Sequence, residues 1–222
     1  MQILSAKEES AVSKFDFYAR YKKFGRAKYI SHLDMVRVFN RVFRRGNIPV
    51  YYSEGFNPHP KISFALPLSV FYESECEILL FSVTEDLSTD ELLKRFQSAM
   101  PEGLEITKVC EGKPDIKHLS YALYNVYAPL PTKDELDAFL SLSEMIIPKK
   151  TKSGIKETNI RSDVHEIKLE DDHMTMLLSA GSSSNLKPDV VVNAMNKYID
   201  NYTANDAEYL RKAIFTDQMK EI

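Results

Sequence analysis

Apolar and polar residues alternate over 15–22, and this period of two predicts a strand with one buried face. Over 31–45 the apolar spacing widens to three and four residues, which predicts an amphipathic helix. Ser31 suits the N-cap and Asp34 the first turn, because both favour the free backbone N–H groups there. Gly46 after two arginines suits the C-terminal end, where glycine tolerates a positive φ. The residues expected on the buried helix face are Leu33, Val36, Phe39 and Phe43.

The pattern over the first half predicts six main elements in the order strand, helix, strand, strand, helix, strand. After the first strand and helix come a strand at 62–66, an apolar strand at 75–83, a helix at 89–99 and a strand at 104–110. This is the order of a ferredoxin-like βαββαβ unit. A short strand is also expected at 50–53.

A polar segment at 111–117 separates this half from a second half in which the same order returns. We therefore predict an α+β fold of tandem ferredoxin-like (βαββαβ) units with antiparallel sheets, each sheet carrying two helices on one face. The predicted domains are 14–111 and 118–200, followed by a C-terminal extension at 201–222 that is compatible with a helix. The elements predicted for the second half are strand 121–128, helix 131–143, strand 145–150, extended segment 156–170, strand 174–180 and helix 188–199.

The composition is that of a globular chain, since 44% of the 222 residues are hydrophobic and 27% are charged. The formal net charge is −3, so any basic surface for nucleic acid must be local. Cys76 and Cys110 are far apart, which argues against a thiolate-bound zinc or iron–sulfur centre and suits a reducing cytosol. The sequence contains no apolar run of about 18 residues, and its charged first residues lead us to expect no signal peptide. We expect a cytoplasmic protein with no cofactor and no membrane contact.

Four arginines lie on the predicted first helix, away from its apolar residues. They are Arg37, Arg41, Arg44 and Arg45. A charge run of this kind usually forms a solvated face. The alternative is a phosphate contact, because guanidinium groups bind phosphate oxygens through paired hydrogen bonds. Arg37, Arg41 and Arg45 are therefore candidates for RNA or anion binding.

The loop 55–61, GFNPHPK, combines one glycine with two prolines. These prolines fix φ twice and hold the residues before them in extended conformations. One interpretation is a stiff connector between strands. The other is a rigid loop that presents Asn57, His59 and Lys61 to one site, since loops often carry function.

His32 and His59 are the candidates for catalysis, with Lys61 as a nearby cation. In the first helical turn the dipole disfavours protonation of His32, and a neutral imidazole can act as a base. The simpler interpretation is a surface histidine. If the two histidines converge, they form a catalytic pair, a metal pair or part of a ligand pocket. Because Asp34 serves as a cap, we predict no metal site.

A loop of small residues precedes the last predicted helix. Free backbone N–H groups at a helix N-terminus bind anions. A plain turn is the alternative, since no nucleotide-binding P-loop pattern is present. The candidate anion ligands are Ser183, Ser184, Asn185 and Lys187, together with Arg161, which shares a predicted strand face with Asn159.

Tyrosines and arginines lie on or near predicted strands, as at Tyr18, Arg20 and Tyr51. On an open sheet such side chains can stack RNA bases. Packing within the fold is the ordinary role of strand tyrosines.

The stretch 29–68, YISHLDMVRVFNRVFRRGNIPVYYSEGFNPHPKISFALPL, resembles the N-terminal signature of the bacterial radical SAM-linked protein family, a domain of unknown function. The resemblance runs over 15–198. It implies a partner, because members are encoded beside a radical SAM protein or fused to one. This chain lacks the three closely spaced cysteines of a radical SAM enzyme. The resemblance brings no settled activity.

Together these features predict an accessory RNA-binding protein that works with a radical SAM partner on a tRNA or rRNA element. One rival is a metal-independent RNA-processing enzyme that uses His32 and His59 as general acid and base. Another rival is a protein-interaction module without nucleic acid. No reaction is specified by the residues, so catalysis is not predicted.

Overall fold

Ten strands and four helices make up the protein over residues 13–151 and 154–222, the ranges described by this computed structural model. The first half contains β1 (Phe15–Lys23), α1 (His32–Arg45), β2 (Ile62–Phe64), β3 (Tyr72–Val83), α2 (Thr89–Ala99) and β4 (Leu104–Glu111). The second half contains β5 (Leu119–Tyr127), α3 (Lys133–Leu140), β6 (Ile146–Thr151), β7 (Gly154–Asn159), β8 (Val164–Leu169), β9 (Met174–Ser179), α4 (Pro188–Tyr198) and β10 (Glu208–Thr216). The strand predicted at 50–53 is reduced to isolated bridges at Val50 and Tyr52. Among the described helices, none combines the length and apolar character that crossing a membrane requires.

Eight strands form one sheet in the order β4-β1-β3-β10-β5-β9-β8, with β2 also paired to β3. Its pairings are antiparallel except the one between β10 and β3, which is parallel over 209–211. β6 and β7 form a separate hairpin. The prediction of a mixed fold built on antiparallel pairing is confirmed. The prediction of separate sheets is wrong, because β10 pairs with β3 and joins the halves.

Residues 201–222 supply a central strand in place of a helical extension. β10 lies between β3 and β5 and pairs with both. Ala213, Ile214 and Thr216 are buried along it, but Arg211 is buried as well. A charged residue at a buried position interrupts the apolar pattern, and the strand is therefore hidden from a hydrophobicity analysis.

The predicted cap of α1 is found at its N-terminal end, whereas the C-terminal end differs. Ser31 Oγ accepts a hydrogen bond from the Asp34 backbone N–H at 3.2 Å. Gly46 has φ −81°, and the positive φ falls on Asn47 at 50°. Gly46 is needed for space, because a Cβ there would lie 2.8 Å from the Arg95 carbonyl oxygen of α2.

The buried face of α1 is rotated from the predicted one. Phe39 and Phe43 are buried as expected, but their companions are Met35 and Val42. Leu33, expected in the core, is 70% exposed. Apolar residues recur at helical spacing on two neighbouring lines along this helix, one through Leu33 and one through Met35. The line through Met35 is the one that packs against the sheet.

Two hydrophobic clusters pack on the sheet. The first contains the aromatic residues Phe17, Phe39, Phe43, Phe81 and Phe96, from β1, α1, β3 and α2. The second packs α3 and α4 on the second half and extends to Ile78, with Tyr18 and Leu80 at its edge. Because side chains alternate along β1 and β3, these last residues lie on the face opposite α1 and α2. The second half therefore covers part of that face.

A buried ion pair connects β3 and β10. Arg211 is 2% exposed and donates hydrogen bonds to Glu77 Oε1 from Nε, at 3.1 Å, and from Nη2. Its Nη2 also donates to the Leu66 carbonyl at 2.7 Å. Lys23, buried nearby, donates from Nζ to the Ile30 carbonyl at 3.1 Å. Burial lowers the pKa of Lys23, and the negative charge of Glu77 opposes that change.

We expect Gly181→Ala to lower the free energy of unfolding by at least about 2 kcal/mol. Gly181 has φ +140°, and an added Cβ would lie 2.2 Å from the Leu119 carbonyl oxygen. Gly112 is the matched control, because its φ is also positive (+78°) but an added Cβ meets nothing within 4 Å. Gly112→Ala should cost only about 1 kcal/mol of backbone strain. Urea unfolding measures both variants, and equal losses would contradict the steric argument.

Candidate functional site

Three lysines from separate parts of the chain line one cavity beside the proline-rich loop. Lys14 precedes β1, Lys61 follows the loop and Lys113 follows β4. The cavity has a volume of about 320 Å³, and Asp16 and Ser82 also line it. We refer to it as the lysine cavity. Of its three ammonium groups, only that of Lys61 was predicted to belong to a site.

Asp16 is the acidic residue that lines the lysine cavity. It accepts a hydrogen bond from Ser82 Oγ at 2.6 Å and forms ion pairs with Lys113 at 3.0 Å and Lys14 at 3.5 Å. The Ser82 hydrogen bond and the two lysines hold the pKa of this carboxyl below its usual value, although burial acts in the other direction. Three ammonium groups against one carboxylate leave the cavity with a charge of +2 in a chain of net charge −3.

Hydrogen bonds close the proline-rich loop at its base. The Ser53 N–H donates to the His59 carbonyl at 2.9 Å, and the His59 N–H donates to Ser53 Oγ at 3.1 Å. His59 Nδ1 lies 3.0 Å from the same hydroxyl. The Lys61 N–H donates to the Tyr51 carbonyl at 2.9 Å. His59 is therefore part of the framework of the loop, and Lys61 is fixed beside Tyr51.

The segment 51–59, which we call the aromatic loop, leads into Lys61 and carries aromatic side chains that reach solvent. Phe56 has a relative exposure of 111%, and Tyr52 is 39% exposed. Tyr51 is half-buried, and Lys14 Nζ lies 5.7 Å from its ring centroid. Because Phe56 buries no surface in the fold, its ring is available to stack on a ligand.

The structure gives His32 and His59 different partners. His32 is exposed and packs edge-on against Phe64, with 5.2 Å between ring centroids. Asn57 is also exposed, and its carbonyl lies 3.4 Å from His59 Nδ1. In the described part of the chain, no hydrogen bond or ring contact joins the two histidines. The catalytic pair stays a prediction without supporting contacts.

The arginines of α1 are exposed as expected, but two of them have partners within the fold. Arg37 forms an ion pair with Asp34 at 2.7 Å. Arg45 donates a hydrogen bond to the Ala99 carbonyl at the end of α2. The arginines without a hydrogen-bond or ion-pair partner among the described residues are Arg41 and Arg44.

The loop before α4 already has an acidic group at the helix N-terminus. Its exposed or partly exposed residues are Ser183, Ser184, Asn185 and Lys187. Asp189, in the first turn of α4, accepts a hydrogen bond from the Tyr72 hydroxyl at 2.5 Å. A carboxylate at this position uses the favourable end of the dipole and repels a second anion. We therefore leave this loop out of the candidate site.

Arg161 is occupied by backbone carbonyl groups. Its Nη2 donates to Leu140 at 2.9 Å, its Nε to Leu142 at 3.1 Å and its Nη1 to Val164 at 3.2 Å. Asn159 Oδ1 accepts from the Arg161 N–H at 3.0 Å. Arg161 therefore holds the end of α3 against β8 and is also left out of the candidate site.

The strand tyrosines do not form an open stacking face. Tyr124 is 3% exposed, and Tyr18 packs at the edge of the second hydrophobic cluster. The residues that sequence reasoning missed are Lys14, Lys113 and Phe56. Phe56 could have been noticed, because its loop is rich in tyrosine, proline and phenylalanine. Lys14 and Lys113 could not, because both are far from Lys61 in the sequence.

The fold and the cavity define a mixed α/β protein with a local basic site. The chain belongs to the bacterial family described as "Uncharacterized protein conserved in bacteria (DUF2344)", which matches residues 17–188. That description does not mention radical SAM proteins. No curated protein matches the chain. A solved structure described as "Crystal Structure of an Unknown Protein from Galdieria sulphuraria" is similar at 12% identity and a TM-score of 0.28, over 90% of this chain and 99% of that one. A TM-score this low supports no argument.

Proposed function

We propose that this protein binds single-stranded RNA, such as an exposed element of a tRNA or rRNA, as an accessory protein without catalysis. The lysine cavity would hold backbone phosphates, and the aromatic loop would stack on bases. Proteins that bind single strands combine these two features. The observation that carries the proposal is the convergence of Lys14, Lys61 and Lys113 around one cavity, with Lys14 beside Tyr51 on the loop that also carries the fully exposed Phe56.

Binding is favoured over RNA cleavage because no described contact brings His32 and His59 together as an acid–base pair. His32 packs edge-on against Phe64, and His59 Nδ1 lies 3.0 Å from Ser53 Oγ. A nuclease mechanism would have to bring the two rings to one substrate, with Nε2 of His59 as the nitrogen that no described residue engages.

The arginine face of α1 is a second, separate basic surface. None of the four α1 arginines lines the lysine cavity. We therefore assign the primary contact to the lysine cavity and secondary phosphate contacts to Arg37, Arg41 and Arg45.

We also infer that the two halves are ferredoxin-like units. The strand order β4-β1-β3-β2 in the first half supports this inference. The order β10-β5-β9-β8 in the second half is equivalent, with the β6–β7 hairpin as an insertion. In each case the fourth strand of the unit lies beside the first, and the second lies beside the third.

The partner and the compartment complete the proposal. The resemblance of 29–68 to radical SAM-linked proteins supports a radical SAM enzyme as the partner that uses the bound RNA. Cys76 and Cys110 are both free cysteines, which suits the reducing cytoplasm where such RNA is found.

Removing the lysine charges should weaken RNA binding and reduce its salt dependence. The lysine cavity carries a charge of +2, which suits two phosphate contacts. Each phosphate contact on a single strand contributes about 0.7 to the slope of log K against log salt. The variant K14Q/K61Q/K113Q should therefore lose about 1.4 of slope and about 25-fold in affinity at 0.1 M salt. Fluorescence anisotropy with a labelled single-stranded RNA of about 12 nucleotides measures both quantities.

The control K94Q/K133Q/K156Q makes the same change in net charge at exposed lysines outside the cavity. It should retain most of the slope and affinity. Equal losses of affinity in the two triple variants would mean that RNA binding depends on the net charge of the protein and not on the lysine cavity. The absence of RNA binding by the unmodified protein would refute the proposal.

A further inference from the structure

A second cavity lies between the two halves of the protein. Its volume is about 420 Å³, compared with about 320 Å³ for the lysine cavity. Its walls come from β1, from 114–118 and from 216–222. We refer to it as the inter-half cleft. It shares no lining residue with the lysine cavity.

Arg20 gives the inter-half cleft a polar group that needs a partner. Its Nε is buried, and no described residue offers an acceptor within hydrogen-bond distance. A buried N–H without an acceptor is costly, and native structures rarely retain one. Arg20 also lines the cleft, so a ligand in the cleft would lie against its side chain.

The other charged groups of the cleft limit what that acceptor can be. Lys220 supplies a second cation, and His118 Nδ1 lies 2.9 Å from a carboxylate oxygen of Asp115. The hydrogen bond to Asp115 raises the pKa of His118, and the charges of Asp115 and Asp217 add to this effect. Asp217 and Glu221 add negative charge to the cleft wall. A cleft of mixed charge suits a small molecule with one anionic group better than a polyanion such as RNA.

We propose that the inter-half cleft binds a small molecule through a carboxylate or phosphate group that accepts hydrogen bonds from Arg20, with Lys220 as a second cation. A guanidinium fork donates two parallel hydrogen bonds to either group. Clefts at the boundary of structural units are frequent ligand sites. This proposal does not depend on RNA binding, because the two cavities have separate linings.

The Nε–Hε signals of arginine in NMR spectra report this contact directly. The titration uses ¹⁵N-labelled K14Q/K61Q/K113Q protein, so that anion binding in the lysine cavity is removed. Inorganic phosphate and succinate are added in separate titrations. The Arg20 signal, assigned by its loss in Arg20→Lys, should shift and saturate with at least one of these probes.

Isothermal calorimetry with the same probe then tests the guanidinium fork. Arg20→Lys keeps the charge but loses the paired donors, and affinity should fall by about tenfold. Arg26→Gln, at an exposed arginine just after β1, should bind as the parent does.

Each outcome decides the proposal. Saturation by phosphate alone assigns a phosphate ligand, and saturation by succinate alone assigns a carboxylate ligand. An Arg20 signal that stays in place with both probes overturns the proposal. Equal affinities for the parent and Arg20→Lys overturn it as well. A failure of RNA binding leaves these results unaffected.

Discussion

Arg211→Met should lower the free energy of unfolding by about 3–5 kcal/mol, the usual cost of breaking a buried pair from one side. The substitution leaves the Glu77 carboxylate, 3% exposed, without the guanidinium that now donates to it. It also removes the hydrogen bond to the Leu66 carbonyl. Because β10 joins the two halves at this point, the loss should appear as global unfolding. Urea denaturation followed by circular dichroism measures it.

The double variant Glu77→Gln/Arg211→Met should recover part of this loss, because no carboxylate then remains buried without the guanidinium. The recovery is incomplete, since buried Lys23 loses the nearby negative charge of Glu77. Lys212 is the matched control, since it is the next residue on β10 and pairs with Glu75 at the surface. Lys212→Met should cost less than about 1 kcal/mol, as exposed pairs do. A loss below about 1 kcal/mol for Arg211→Met would mean that water reaches Glu77 and solvates its charge.

Phe56→Ala should weaken binding of single-stranded RNA by about 5- to 150-fold, which corresponds to about 1–3 kcal/mol for one stacked base. The slope of log K against log salt should stay unchanged, because the substitution removes no positive charge. The melting temperature should also stay unchanged, since Phe56 is fully exposed and contributes nothing to the core. Phe56→Ala should therefore lower affinity at an unchanged salt slope, whereas K14Q/K61Q/K113Q should lower both. This difference distinguishes base stacking from phosphate contact.

Leu33→Ala is the control for Phe56→Ala. Leu33 is another large apolar residue that is 70% exposed, but it lies on α1. Its replacement should leave RNA affinity unchanged. An effect of similar size at both positions would indicate non-specific apolar binding and would contradict a role for the aromatic loop. An RNA affinity that Phe56→Ala does not change would confine the contact to the lysine cavity.

The helices and strands that could be predicted depend on interactions between residues close together in the sequence. The Ser31 cap of α1, the Ser88 cap of α2 and the Thr132 cap of α3 are each formed with the backbone three residues later. The alternation over 15–22 predicted one buried strand face, and Phe17 and Tyr21 are buried on β1. These signals survive folding because the atoms concerned are close together in the chain, and the rest of the molecule changes their energies little.

Part of the candidate site could be predicted in the same way. Two prolines predicted a rigid segment before Lys61, and the base of that loop is closed by Ser53 and His59. The expected convergence of His32 with this loop has no supporting contact, because a loop sequence fixes its own backbone but not its neighbours. Arg161 and Arg45 carry the same charge as a phosphate-binding arginine, yet backbone carbonyls engage both. Charge alone does not distinguish a ligand contact from a structural one.

By itself, the sequence determined the four helices and the four main strands of the first half, because each depends on residues within one turn or one strand. The stiffness of the proline-rich loop stays a prediction. Only the tertiary structure decided that β10 enters the centre of the sheet, since the buried Arg211 is tolerated there through Glu77 on a distant strand. It also decided that Lys14 and Lys113 join Lys61 around Asp16. Pairing between strands brings together residues that are far apart in the chain, 134 positions for Glu77 and Arg211, and no local pattern records such a contact.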